Sequence, residues 1–281
     1  MVEQPLSWLS ALILAVVQGA TEFIPVSSSA HLVIVSKLAG LQGCPLSLAV
    51  ALHLGTLLAV IVYYRRALGA FLRALFVREA QVEGPAEEKT GARRFFWLLI
   101  LATIPAGVVG FLLSDVVDKL FAAPRAAAVG LLVTATVLWL ADRHRGDKSP
   151  DRLGWRDALL VGLGQAVAIM PGISRSGTTI WAALGRGLSP GWAPRFSFLL
   201  SIPAIAGAGL LEARELLAAP LPADVMHLYL VAGLVAAAVG YVSIYLVVDA
   251  VSRGNLFRRF GVYCIVVGLA TLVASTLGYL S

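Results

Sequence analysis

The chain alternates long apolar runs with short polar ones, at a spacing that suits helices crossing a bilayer. A hydrocarbon core takes roughly 20 residues of helix. Six stretches meet or nearly meet that length, at about 45–64, 95–114, 126–141, 195–211, 226–248 and 261–280. Two more, 7–40 and 157–187, have the apolar length but are interrupted, the first by Pro25 and the second by Pro171-Gly172. Proline disfavours helix in the residue before it and glycine loosens the backbone, so each predicts a helix–break–helix hairpin. Such re-entrant pairs survive at membrane depth only where protein or a water-filled cavity covers the open backbone. The runs are continuous rather than alternating, which excludes a β-barrel.

Composition agrees. Of 281 residues, 59% are hydrophobic and 14% charged, with a mean hydropathy of +0.86, more apolar surface than a soluble domain of this length could hide. The expectation is an all-α polytopic membrane protein forming one integral membrane domain over residues 1–281, with six transmembrane helices and two re-entrant hairpins. The net charge of +6 resides in loops, so it speaks of topology and not of nucleic acid. The 65–94 connection holds Arg65, Arg66, Arg73, Arg78, Lys89, Arg93 and Arg94, and the 142–156 connection holds Arg143, Arg145, Lys148, Arg152 and Arg156. The loops at 115–125 and 212–224 are poorer in cations. Positive-inside orientation then puts both termini outside the cytoplasm and brings the two hairpins in from opposite faces. Within 65–94, Leu68, Phe71, Leu72, Leu75 and Phe76 recur at helical spacing among arginines, which predicts an interfacial helix followed by a polar linker. Cys44 and Cys264 read as two buried thiols rather than a disulfide, and the opening "MVEQPLSWLS" lacks the basic start of a cleaved signal peptide.

The halves 1–125 and 126–281 echo each other. "LATIPAGVVG" at 101–110 is similar to "LSIPAIAGAG" at 200–209, and "VVQGATEFIPVSS" to "GLGQAVAIMPGIS" in its glutamine, its proline and the serine three residues after it. With opposed hairpins this suggests an inverted-topology repeat, with a site where the two breaks meet.

The breaks hold the polar residues that hydrocarbon penalises. Ser27 or Ser28 can cap the helix after Pro25, and Ser174 the helix after Pro171. Two helix N-termini aimed at one spot make an anion site from backbone N–H groups. Arg175 adds a planar fork of donors, and Ser176, Thr178 and Thr179 add hydroxyls. Gln18 and Glu22 share a helix face, four residues apart. A carboxylate beside an anion needs a cation or a proton between them, so the pair reads as a hard-metal ligand set completed by substrate oxygens. His31, in the first turn after Ser28, can carry a proton near neutral pH.

Plainer readings stand beside these. The serines can be caps and nothing more, and Glu22 with Arg175 can be a buried pair locking the hairpins together. His53 reads as a packing residue, His144 and His227 as solvated, and Lys37 and Arg186 as chains that snorkel to an interface. "GISRSGTT" at 172–179 has the glycines of a phosphate-binding loop but lacks its lysine and its preceding strand.

Taken together, "QGATEFIPVSSSAH" and "PGISRSGTT" resemble the paired signatures of the bacterial undecaprenyl-diphosphate phosphatases of the bacitracin-resistance type, and "RFSFLLSIPA" at 195–204 extends the resemblance. Carried over by position, the acidic motif falls on Gln18 and Glu22, the serine and histidine on Ser28 and His31, and the arginine motif on Ser174, Arg175, Ser176 and Thr179. The resemblance implies hydrolysis of a C55 polyprenyl diphosphate to its monophosphate in the bacterial inner membrane, recycling the lipid carrier of peptidoglycan synthesis. It also implies a divalent cation, Mg2+ or Ca2+. A glutamine at the first acidic position leaves Glu22 to carry the charge alone. On this reading Ser28 is the nucleophile, His31 its acid/base partner and Glu22 the base or metal ligand, with direct attack by water left open. Arg175, Ser174, Ser176, Thr179 and Ser27 bind phosphate, and a homodimer is allowed for. The competing class is an inverted-repeat transporter or flippase of an anionic lipid or small anion, which uses the same architecture.

Overall fold

The computed structural model describes residues 6–41, 43–76, 91–121, 123–144, 146–218, 222–253 and 256–280. The polar linker expected at 83–91 lies outside the described residues except for Gly91, as do residues 219–221. Helices α1 (Trp8–Phe23) and α2 (Ser28–Leu38) flank the first break, followed by α3 (Leu46–Tyr63) and α4 (Arg65–Phe76). Next come α5 (Ala92–Leu112), α6 (Ser114–Phe121) and α7 (Pro124–Ala141). Helices α8 (Trp155–Val167) and α9 (Arg175–Gly185) flank the second break, and α10 (Trp192–Ala218), α11 (Ala223–Arg253) and α12 (Leu256–Thr276) complete the chain. No strand occurs among the described residues.

Six of these helices, α3, α5, α7, α10, α11 and α12, are long and apolar enough to cross a membrane. They match the six sequence stretches. Their outer faces carry large apolar residues, including Phe111, Leu234 and Val266, each more than 60% exposed, as lipid-facing positions would be.

Pro105 and Pro203, the prolines of the echoed segments, lie inside α5 and α10 without breaking them, whereas Pro25 does break its helix. The difference lies in the residues just C-terminal to each proline. Beyond Pro25 come serines that cap a new helix, and Ser27 accepts the Ala30 N–H through Oγ. Beyond Pro105 come only alanine, glycine and valine, with no side chain to compete for backbone bonds.

Helices α1 and α3 pack on α11, α7 on α12, and α5 on α8, while α2 leans on α7. Glycines set the closest approaches. A Cβ on Gly19 would sit 2.7 Å from the Ala236 carbonyl oxygen, and one on Gly55 2.1 Å from that of Gly233. One hydrophobic core joins the two broken helices and the later spans through Phe23, Leu131, Ile180 and Phe198; a second lies between α1, α3 and α11.

Helix α4 has the amphipathic form expected, with Ala70 and Phe71 buried and Arg65, Arg66 and Arg73 exposed. Helix α6, eight residues long, is absent from the sequence expectations; its charged and apolar residues alternate too quickly to stand out in a hydropathy scan. Both cysteines are free thiols as expected, but only Cys264 is buried; Cys44 is half-buried. Arg186, expected to snorkel, also has a partner: its Nε lies 2.7 Å from Asp157 Oδ1, and Lys148 approaches the other oxygen at 3.7 Å. Asp157 is buried at the first turn of α8, where it also accepts the Gly154 N–H, while the Arg186 side chain that pairs with it stays 41% exposed.

Candidate active site

The two breaks meet. Ser29 Oγ accepts the Gly172 N–H at 3.3 Å, which ties the start of α2 to the second break. Ser27 caps α2 in a left-handed conformation (φ 69°, ψ 94°), and Ser174 caps α9 by accepting the Gly177 N–H at 3.1 Å. From α7, Thr134 Oγ1 accepts the Ser174 N–H and donates to the Gly172 carbonyl, both at 2.8 Å. The outermost N–H groups of α2 and α9, on Ser28, Ser29, Arg175 and Ser176, fall in first turns, where a helix offers no internal acceptor.

Glu22 stands at the centre of the polar cluster and is 7% exposed. Its Oε2 accepts from Ser28 Oγ at 2.6 Å and from Gln18 Nε2 at 2.9 Å. Its Oε1 accepts from Arg175 Nη2 at 2.6 Å. The other arm of the Arg175 fork, Nη1, reaches the Ser197 carbonyl at 3.5 Å. The locking pair of Glu22 and Arg175 is therefore made, and it bridges the two broken helices. Breaking such a buried pair by removing one partner leaves the other charge uncompensated.

His31 is turned elsewhere. Its Nδ1 lies 2.7 Å from the Ser27 carbonyl and its Nε2 2.8 Å from the Tyr263 hydroxyl on α12. A carbonyl can only accept, so Nδ1 carries a proton and, in the neutral ring, Nε2 accepts from Tyr263. The two rings are nearly parallel, with centroids 5.7 Å apart. The group next to the Ser28 hydroxyl is thus Glu22.

His53 packs within its own helix as expected, with Nδ1 2.7 Å from the Ala49 carbonyl. Its Nε2, however, is 3.7 Å from Glu22 Oε2, which brings it into the cluster. Ser174, Ser176 and Thr179 are fully or almost fully buried. Their hydroxyls bond protein partners: Ser174 Oγ with Ser176 Oγ at 3.2 Å, and Thr179 Oγ1 with Ser197 Oγ at 2.6 Å. Sequence reasoning missed Tyr263, Ser197, Thr134 and the approach of His53. Only Ser197 lies within a stretch that carries the family resemblance, "RFSFLLSIPA".

Among the described residues no three His, Cys, Asp or Glu side chains cluster as a metal site. Yet Gln18 Oε1 is buried without a hydrogen-bond partner, beside Glu22. An orphan amide oxygen and a carboxylate fit a hard cation whose remaining ligands are substrate oxygens.

The model of the family described as Bacitracin resistance protein BacA matches residues 11–270. A protein of Thermomicrobium roseum named undecaprenyl-diphosphatase is 42% identical over 274 residues, covering 95% of this chain and 97% of its own. Proteins of the same name from Alcanivorax borkumensis and Methanosphaera stadtmanae are 40% and 36% identical, each covering 95% of this chain and 98% of their own.

Proposed function

Because the chain belongs to the BacA family of bacitracin resistance proteins, we propose that it hydrolyses undecaprenyl diphosphate to undecaprenyl phosphate and inorganic phosphate. The observation that carries this reading is the single carboxylate of Glu22, bonded on one oxygen to the Ser28 hydroxyl and on the other to Arg175. A hydroxyl, its base and a guanidinium fork converge there, and a site for binding alone has little use for the first two. The transporter reading is the less favoured one for that reason.

In the proposed reaction the polyprenyl tail lies in the bilayer and the diphosphate reaches the meeting point of the two breaks. Ser28 Oγ attacks the terminal phosphorus while its proton passes to Glu22 Oε2. The bond from that phosphorus to the bridging oxygen breaks, and the lipid monophosphate leaves. The departing monophosphate takes the proton from Glu22. Water then attacks the phosphoserine and gives a proton to the freed carboxylate while the Ser28 Oγ–P bond breaks, and that proton returns to Ser28 Oγ as phosphate is released. Arg175 and the first-turn N–H groups of α2 and α9 hold the charge that develops on the phosphoryl oxygens. Ser27, Ser174, Ser176 and Thr179 serve the phosphate by fixing the turns that present those groups. His31, held by Tyr263, keeps the Ser27 carbonyl in place and is the nearest further proton carrier on α2. A divalent cation would be held by Glu22 and Gln18 Oε1, and when bound it would neutralise diphosphate charge.

This reading includes the two broken helices as re-entrant hairpins of an inverted repeat, both termini on the outer face, in a plasma membrane. The test is phosphate release by the purified protein in detergent. The expected products are one phosphate and one lipid monophosphate per diphosphate consumed. Tight binding of the diphosphate with no release of phosphate would overturn the hydrolase reading in favour of a carrier.

A further inference from the structure

Away from this site, where α4 meets α5 and α10, lies a cavity of about 240 Å³ that shares no residue with the Glu22 cluster. Its floor is aromatic: Phe71 and Phe95 lie with ring centroids 5.6 Å apart, and Phe95 meets Phe196 edge-on behind them. Its mouth is cationic. Arg66 projects from the polar side of α4, and Arg195 from the first turn of α10, where its guanidinium lies 4.8 Å over the Trp192 ring. Both arginines are exposed, and neither has an ion-pair partner among the described residues. Tyr64 lines the wall between them and is 8% exposed, and its hydroxyl is buried with no hydrogen-bond partner. The nearby Asp151 has its carboxylate engaged by Ser149 Oγ, and its carbonyl accepts from Arg94 at 2.7 Å.

We propose that this cavity binds one anionic phospholipid from the leaflet on which α4 lies. Three observations favour that occupant. Two guanidiniums with no counter-ion among the described residues call for a phosphate, which the fork of arginine matches in shape. The phenylalanine floor calls for an apolar body attached to the phosphate, which a free anion lacks. The helix beside the opening is amphipathic and carries its cations outward, so the mouth lies at headgroup depth, where phosphodiesters are concentrated. The phosphate sits between Arg66 and Arg195, the Tyr64 hydroxyl donates to one of its oxygens, and the first acyl carbons lie on Phe71 and Phe95. The inference is independent of the proposed hydrolysis and is tested without it.

The experiment is native mass spectrometry of the full chain, released from micelles with equal amounts of phosphatidylglycerol and phosphatidylcholine. One phosphatidylglycerol should be retained per protein, preferred by roughly tenfold, as two surface arginines allow. Arg66→Ala with Arg195→Ala should abolish the preference. Arg258→Ala with Arg259→Ala, which removes two exposed cations of α12, should keep it. Tyr64→Phe should weaken the preference about threefold, since one donor to phosphate is lost. Equal retention of the two lipids overturns the proposal, as does a preference that survives in the Arg66/Arg195 variant or falls equally in the Arg258/Arg259 variant. An unchanged Tyr64→Phe overturns the placement of the phosphate. Full displacement by inorganic phosphate assigns the site to a free anion, and stronger retention of a polyprenyl monophosphate assigns it to a lipid phosphomonoester. Either result overturns the phospholipid.

Discussion

The chain breaks a helix at a proline twice, and the two breaks meet the same steric demand with different residues. At the first, a non-glycine residue, Ser27, takes the left-handed backbone at φ 69°. Such a conformation costs about 1–2 kcal/mol for a residue with a Cβ. It is held by local bonds: its Oγ accepts the Ala30 N–H and bonds Ser29 Oγ, and its carbonyl accepts from His31 Nδ1. At the second, Gly172 takes φ 86° without strain, but a Cβ there would meet the Ala127 carbonyl oxygen at 2.2 Å. That break is held from outside, by Thr134 of α7 on both of its flanks. The break that carries the proposed nucleophile builds its own turn, and the break that carries the arginine borrows its shape from a neighbour. Strain kept where the chemistry is placed and relaxed where support is placed is a common division in active sites.

The comparison breaks most visibly at Ser28. Ser28→Ala and Glu22→Gln should each lower kcat by about a thousandfold, whereas Ser27→Ala and Ser29→Ala should stay far closer to the parent. Acid quenching of labelled substrate should find phosphate on Ser28 of the parent enzyme and none in the Ser28→Ala variant. A Ser28→Ala enzyme still turning over at a tenth of the parent rate would move the attack to water. On the other side of the site, Arg175→Lys keeps the charge and loses the fork, with an expected loss of about a hundredfold, or roughly 3 kcal/mol. Near-parent kinetics in a folded Arg175→Lys protein would reduce that residue to a structural tie.

The backbone difference is tested by stability rather than rate. Gly172→Ala should lower stability in detergent by about 3 kcal/mol, from the left-handed backbone and the clash with α7 together. Tyr263→Phe leaves His31 Nε2 without its partner and should cost about 1 kcal/mol of stability in the same detergent. Ser27→Gly should be the mildest, within about 1 kcal/mol of the parent, because relief at φ 69° offsets the lost cap. If Ser27→Gly were as damaging as Gly172→Ala in thermal melts, the contrast between the breaks would fall.

The spans and both breaks are legible in the sequence because hydropathy and a proline trailed by serines are local signals. Glu22, Ser28 and Arg175 are legible for the same reason: each lies within a few residues of a break. His53 is not, since one histidine on an apolar helix face gives no sign that Glu22 will face it. Tyr263 lies more than two hundred residues from His31, and only the packing of α12 brings the two together. Thr134 reads as one more small residue of a membrane helix until the second break is laid against it. The partner of Arg186 is not legible either, because Asp157 lies on a different helix. The misses share a cause: each depends on which helices become neighbours, which no window of sequence reports.

The close seat of α1 against α11, made by Gly19 and Ala236, has a consequence in time. The wall that covers the first broken helix is encoded more than two hundred residues after it. At roughly 5–20 residues per second, synthesis takes on the order of 10–40 s to supply it. Through that interval Glu22, Ser28 and their neighbours have no α11 beside them, so the insertion machinery or an early partner helix must shelter them. Mutations that slow or misplace α11 should therefore be felt first as loss of newly made protein to quality control, before any change in the finished site.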